Sequence, residues 1–298
     1  MKGLLIKIVV VTIVATTIFS FAPTYAQKNR TSTKQEIRKF KEFIKILDKN
    51  YIESLDYNYL TKVAIQTILD QTDPYSTYLD REMKDEIDNI IDSPAIDTAY
   101  MINKSTSCIK VRLFSHDAAN DILQTYREQN SPQNLILDLR GNKGGLVTEA
   151  IKSANLFLKK NTPIFKRNRR GKNTTTHTTQ YDGELLSTNL VIIIDRESAS
   201  ASEIVAGAMQ SNKRATIVGE RSFGKGLIIS PFTLPDGSVI FISTSQYTTP
   251  IGGVIQRSYR GRESTNTDGG INPDIIYDCG ETVDNEDFIN FSHPQKKI

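Results

Sequence analysis

Three short segments carry the residue types that could do covalent chemistry. The first is Asp195-Arg-Glu-Ser198-Ala199-Ser200-Ala201-Ser202-Glu203, directly after an apolar run over residues 190–194. A serine between alanines, at the tip of a buried strand and entering a helix, presents its hydroxyl and leaves room for an acyl group. The N–H groups that follow, and the helix dipole, favour negative charge developing there. A serine at a helix start also serves simply as a cap, and this segment alone leaves both readings open. The second segment, Gly219-Glu-Arg-Ser-Phe223-Gly224-Lys225-Gly226, sets one lysine between glycines after another apolar stretch. Glycine neighbours let a lysine side chain lie in the interior, where burial disfavours the ammonium and lowers the pKa from roughly 10.4 toward neutrality. A neutral amine there can take the proton of Ser200 as general base, a known variant of the catalytic triad. A phosphate-binding loop is excluded, because no Walker pattern is present and no helix is expected after Lys225. The third segment is Leu137-Asp-Leu-Arg140-Gly-Asn-Lys143-Gly144-Gly145. Its paired glycines either bring backbone N–H groups to an anion or oxyanion, or serve a strand-to-helix turn alone.

The elements that must position these segments read as an α/β alternation. Strands are expected over 108–114, 135–139, 190–194, 215–218 and 238–245, with helices over 118–128, 148–158 and 201–211. Strands that are apolar throughout or nearly so, alternating with helices, predict a largely parallel sheet covered on both faces. The reactive segments then fall at the carboxyl ends of buried strands, where such sheets place their sites. Residues 167–182 are polar and basic and are expected as a solvated loop. Upstream, Thr33-Lys-Gln-Glu36 fits a capping box, and Ile37, Phe40, Ile44 and Leu47 recur at helical spacing. A second helix is expected over 58–70, with Leu60, Val63, Ala64 and Ile68 in its stripe. A turn follows at Asp73-Pro-Tyr-Ser76, then a third helix over 81–91. The expected division is therefore a leader over 1–26, a small helical domain over 27–95, a catalytic domain over 96–275 and a tail over 276–298.

The leader is read from Lys2 and Lys7, the apolar residues 8–22 and the small residue Ala26 before Gln27-Lys-Asn-Arg30, the layout of a secretory signal peptide. The apolar run is short for a span of roughly 20 residues, so an exported chain, periplasmic or secreted, with no stable membrane span after cleavage is expected. The 298-residue chain has formal charge +3. Without Lys2 and Lys7, 35 basic residues face 34 acidic ones, which excludes the footprint of a nucleic-acid binder. Two cysteines, Cys108 and Cys279, make no disulfide scaffold, and neither has a His or Cys beside it for a metal cluster. His116, His177 and His293 are scattered in polar contexts and read as surface residues. No metal or organic cofactor is implied.

In this order, Arg140-Gly-Asn-Lys-Gly-Gly145, Ser198-Ala-Ser-Ala-Ser-Glu203 and Phe223-Gly-Lys-Gly226 resemble the C-terminal processing (tail-specific) proteases, as does the 25-residue interval from Ser200 to Lys225. Leu234-Pro-Asp-Gly237, Tyr247-Thr-Thr-Pro250, Gly270-Ile-Asn-Pro-Asp274 and Asp73-Pro-Tyr-Ser-Thr-Tyr78 extend the likeness over residues 50–275. The resemblance implies an α/β crotonase/ClpP-like core with a small N-terminal helical domain. It further implies Ser200 as nucleophile, Lys225 as general base, the N–H groups of Gly145 and Ala201 as oxyanion hole, and structural roles for Ser198 and Ser202. The implied reaction is peptide-bond hydrolysis in unfolded or tail-exposed proteins. In three places the chain departs from the family pattern. Ile229 stands where many members carry a glutamine bonded to the lysine, and Lys143 stands where proline is usual. Between residues 91 and 107 there is no room for the usual PDZ domain, which raises the question of an adaptor protein. The rival reading is a catalytically weakened peptide-binding member of the same fold. A crotonase-like acyl-CoA enzyme needs no such Ser/Lys pairing.

Overall fold

A computed structural model describes residues 32–259 and 269–277; the expected leader, Cys279 and His293 lie outside them. Two compact units divide the chain, Met1–Leu60 and Thr61–Ile298. In the first, α1 (Thr33–Asn50) is capped by Ser32: the Gln35 N–H donates to Ser32 Oγ at 3.3 Å and the Ser32 N–H to Gln35 Oε1 at 3.0 Å. The capping box thus sits one residue earlier than the expected Thr33/Glu36 pair. Ser32-x-x-Gln35 and Thr33-x-x-Glu36 both satisfy the pattern, and the reciprocal bonds form in the first register. No residue of α1 is buried, so its apolar stripe stays half or fully open, with Ile37 and Phe40 exposed. A short connection then leads into α2 (Tyr57–Asp70), whose start belongs to this unit.

The second unit holds the sheets. Residues 96–219 and 275–276 build a six-stranded sheet in the order β11 (Ile275–Ile276), β8 (Thr216–Gly219), β7 (Asn189–Ile194), β4 (Asn134–Asp138), β3 (Thr106–Val111) and β2 (Ile96–Asn103). All neighbours run parallel except β2 against β3. Helices α4 (Ala118–Glu128), α5 (Val147–Asn155) and α6 (Ala201–Ser211) supply the crossovers. Alternation does the packing: Leu135, Leu137, Leu190, Ile192 and Ile194 join the main core with these helices. Cys108, Ile136, Val191, Ile193 and Val218 form a second cluster on the opposite face. Sequence runs that are apolar at every position are explained by burial of both faces.

Three differences from the expected elements matter for the site. Residues 96–103, read as a spacer, form β2 and complete the sheet, so the interval before β3 is filled by an edge strand. The expected strand over 108–114 ends at Val111, because Phe114 leaves the ladder to bridge Gly145. The basic stretch is a solvated loop only over residues 169–174, which are exposed and outside the strands. It contributes the end of β5 (Pro163–Asn168) and β6 (Thr175–Thr178), an antiparallel hairpin in which His177 is half-buried and stacks on Phe165 at 4.4 Å. Its polar alternation reflects edge strands with one face in water, which hides the period in composition. A second, antiparallel sheet joins this hairpin to β10 (Val239–Thr248), with β9 (Leu227–Thr233) and β1 (Thr77–Leu79) also on β10; α3 (Arg81–Ile91) follows β1. The β9 strand is the element after Lys225, as the exclusion of a phosphate loop required. Among the described residues, no helix is long and apolar enough to cross a membrane.

Candidate active site

The loop after β4 is held by Asn142, which is fully buried. Its Nδ2 donates to Val111 O at 2.8 Å, and its Oδ1 accepts from the Gly144 N–H at 2.9 Å. Its carbonyl accepts from the Ala199 N–H at 3.0 Å and from Ser202 Oγ at 2.9 Å. One side chain and one carbonyl therefore join the glycine loop to the serine loop. Gly144 has φ +112°, and a Cβ there would lie 2.8 Å from Ser200 Cβ. Gly145 has φ +130°, and a Cβ would run into the Phe114 carbonyl. Both positions thus require glycine, for close approach as well as conformation. Phe114 clamps the loop, its N–H donating to Gly144 O and its carbonyl accepting from the Leu146 N–H, each at 2.8 Å. Among the described residues, the N–H groups of Gly145 and Ala201 have no acceptor.

The serine loop after β7 is equally fixed. Ser198 is buried and donates to Leu139 O at 2.8 Å, so Ser198 and Ser202 are engaged in structure. Ser200 is half-buried and sits at φ +56°, ψ −111°, a costly conformation for a residue with a Cβ, before Ala201 opens α6. Its cost is carried by Glu203, fully buried one turn into α6. Glu203 Oε2 accepts from the N–H of Ser200 and the N–H of Lys225, both at 2.8 Å. Its Oε1 accepts from the Gly224 N–H and from Ser222 Oγ, both at 2.6 Å. Burial pushes this carboxyl's pKa up, against the pull of those donors. Tyr247, also fully buried, makes the second connection: its hydroxyl lies 2.9 Å from Ser200 O and 2.7 Å from Lys225 O. Burial raises the phenol's pKa well above its ordinary value, so it remains a donor.

The structure thus brings the backbones of Ser200 and Lys225 together through two shared side chains. Burial pushes the Lys225 amine's pKa down, opposed by the charges of Glu203 and Asp73. Its Nζ stands 5.1 Å from the centroid of the Tyr75 ring, a geometry that favours the ammonium once formed. Asp73 is buried and accepts from the N–H groups of Tyr75 and Ser76, both at 2.9 Å, and from Ser76 Oγ at 2.7 Å. Burial works against its ionisation, yet these hydrogen bonds hold its pKa below the ordinary value. Ile229 lies on β9 opposite Ser243 and is half-buried. Four contributors escaped the residue-type reading: Glu203, Tyr247, Asp73 and Tyr75. Glu203 stands in a quoted motif but imitates a capping glutamate, and Asp73-Pro-Tyr-Ser76 imitates an ordinary turn. Tyr247 acts 47 positions from Ser200, where no local pattern reports it.

The model of peptidase family S41 matches residues 105–277, more than half of the chain and all three motifs. The chain belongs to peptidase family S41. Residues 16–83 also match the activating protease CtpB N-terminal domain. Among curated S41 relatives, the carboxyl-terminal-processing protease of Synechocystis sp. is 40% identical over 150 residues, 49% of this chain and 34% of that protein. The chain spans about a third of that relative's length. The solved photosystem II D1 C-terminal processing protease aligns at TM-score 0.52 and 25% identity, covering 62% of this chain and 48% of that one. A lipoprotein from Streptococcus agalactiae shares the fold at TM-score 0.61 and 18% identity, over 84% and 86% of the two chains. In this S41 member, Cys108 is a buried thiol, its pKa pushed up to about 11 by desolvation, and sits apart from the reactive segments on the second core cluster.

Proposed function

We propose that this chain is an exported serine endopeptidase that cleaves unfolded or tail-exposed proteins through a Ser200–Lys225 dyad. The observation that carries the reading is the double connection by Glu203 and Tyr247, which fixes the main chain of the nucleophile relative to that of the base. The Lys225 amine, pushed toward its neutral form by desolvation, takes the Ser200 hydroxyl proton as Oγ attacks the substrate carbonyl carbon. The oxyanion receives the free N–H groups of Gly145 and Ala201, aided by the amino end of α6. The ammonium, facing Tyr75, gives its proton to the leaving amine, and the C–N bond breaks to leave an ester on Ser200. Water then attacks the ester carbonyl, losing a proton to Lys225; the ester C–O bond breaks, the ammonium returns that proton to Ser200 Oγ, and the acid leaves with both groups restored. The relatives' names specify carboxyl-terminal processing, and we carry that substrate class to this chain. The proposed division is a leader over 1–26, a helical domain over 27–95, a catalytic domain over 96–275 and a tail over 276–298, with delivery to the periplasm or beyond.

Ile229 supports a second reading, a peptide-binding member with weakened catalysis, since the base then has no glutamine orienter. The deciding measurement is hydrolysis of casein by the wild-type chain beside Ser200→Ala and Lys225→Ala. Cleavage by wild type and silence of both variants is expected. An inert but folded wild type that still binds casein establishes the second reading, or a need for an adaptor protein.

A further inference from the structure

The free edge of β10 contains a gap with a basic rim. Ile240 lies opposite both Tyr78 of β1 and Phe232 of β9, and Gln246 opposite both Asn168 of β5 and Leu227 of β9. Because a strand has two edges, β1 and β5 must share the one that β9 leaves open. β1 covers residues 239–241 and β5 covers 246–248, so residues 242–245 between them are unpaired on that edge. A cleft of ≈ 640 Å³ opens there, with Asp73 and Thr72 on one side, Arg169 and Arg170 on the other, and Leu227 and Ser245 among its remaining walls.

The charges of this cleft are unbalanced. Arg167 donates from Nε to Ser245 Oγ at 2.7 Å, and its pKa is lowered by burial and by the nearby Arg169 cation. Among the described residues, no carboxylate pairs with Arg167, Arg169 or Arg170. The one acid in the cleft, Asp73, is buried and already accepts from the Tyr75 N–H and from Ser76. In a second cleft of ≈ 530 Å³ the cations are engaged: Arg196 pairs with Glu220 at 2.8 Å and Arg257 stacks 3.7 Å above the Phe223 ring. Strand addition along the gap is obstructed, since the Ser243 N–H already donates to Ser76 Oγ at 3.1 Å. What fits is the end of a chain. A terminal carboxylate suits a guanidinium pair by geometry and charge, and the cleft volume is in the range that holds a small ligand.

We infer that the cleft between β1 and β5 binds the free C-terminal carboxylate of the substrate through Arg169 and Arg170. This rests on the peptidase reading, because the occupant is taken to be a substrate tail. The cleft shares neighbours with the base: Leu227, which follows Lys225 by two residues, lines it, and so does Asp73, which belongs to the turn that carries Tyr75 to Lys225 Nζ. Tail selection would then be built into the catalytic domain, in a chain with no room for a domain between α3 and β3.

The test is equilibrium binding to the full chain carrying Ser200→Ala, so that turnover plays no part. The probes are one labelled short peptide as the free acid, as the C-terminal amide, and as an amide whose last side chain is aspartate. Preference for the free acid over both amides by about tenfold or more is expected, falling with salt and abolished by Arg169→Gln with Arg170→Gln. Equal binding of free acid and plain amide overturns the inference, as does a preference that survives the double substitution. Equal binding of free acid and aspartyl amide overturns it too, by showing a site for any carboxylate. Casein hydrolysis by the wild-type chain is read separately. Its absence with tail preference intact counts against the peptidase reading alone, and hydrolysis without tail preference counts against this site alone.

Discussion

Lys225 and Glu203 are in opposite situations, and both are set by burial. The lysine loses hydration and is pushed toward the neutral form, the state a general base needs. Activity should therefore rise with pH as the ammonium deprotonates and flatten above a pKa below that of an ordinary lysine. The Asp73 charge acts the other way, holding the ammonium. Asp73→Asn keeps an oxygen for the Tyr75 and Ser76 N–H groups but removes that charge. The acid limb of the pH profile of kcat/KM should then move to lower pH; an unmoved limb would show that the charge of Asp73 does not reach the base. Glu203 accepts from four donors, three of them backbone N–H groups that can only donate. Glu203→Gln puts an NH₂ against some of these. We expect a loss of about 1–3 kcal/mol for each donor left unpaired, read as a lower denaturant midpoint, together with loss of peptidase activity.

At the scale of elements, β9 and β10 hold the base as firmly as α6 holds the nucleophile. Lys225 lies two positions before β9, Ile229 lies within it, and Ser243 faces Ile229 across the ladder. The native isoleucine at 229 has no atom with which to orient an amine. Ile229→Gln should raise kcat by up to about tenfold, the yield of one good hydrogen bond in the transition state. An unchanged or lowered kcat would mean that Tyr75 and desolvation already align the base. The element that carries Tyr75 to the site is the turn between α2 and β1, held in place because β1 pairs residues 77–79 with β10. Three residues of β1 thereby decide where the turn before them presents its ring.

The second unit is held by the two-faced, largely parallel sheet. Ile192 is fully buried at its centre, between β4 and β8. Ile192→Ala should cost about 2–5 kcal/mol through lost transfer energy and a cavity, measured by urea unfolding. A change well under 1 kcal/mol would show that the sheet can collapse around the gap. The same sheet puts the loops after β4, β7 and β8 at one end, so its stability and the constellation of the site are coupled.

Period and composition make the parallel sheet, its helices and the three reactive segments legible in one dimension. Strand 190–194 is apolar at every position, and 135–139 at every position but Asp138, because both faces are covered, and helices 118–128 and 201–211 coincide with their patterns to the residue. Glycine at 144 and 145 is likewise written locally, since it answers to backbone angles. What the chain did not disclose is of another kind. The β5–β6 hairpin and β2 are edge elements whose solvent faces dilute their pattern. Glu203, Tyr247, Asp73 and Tyr75 acquire their roles only from partners far along the chain, and the gap between β1 and β5 exists only because both strands pair with one edge of β10. Local pattern determined which residues could react, because propensity and burial act over a few positions. Tertiary pairing alone decided which groups hold and surround them, because hydrogen bonds and fields act through space.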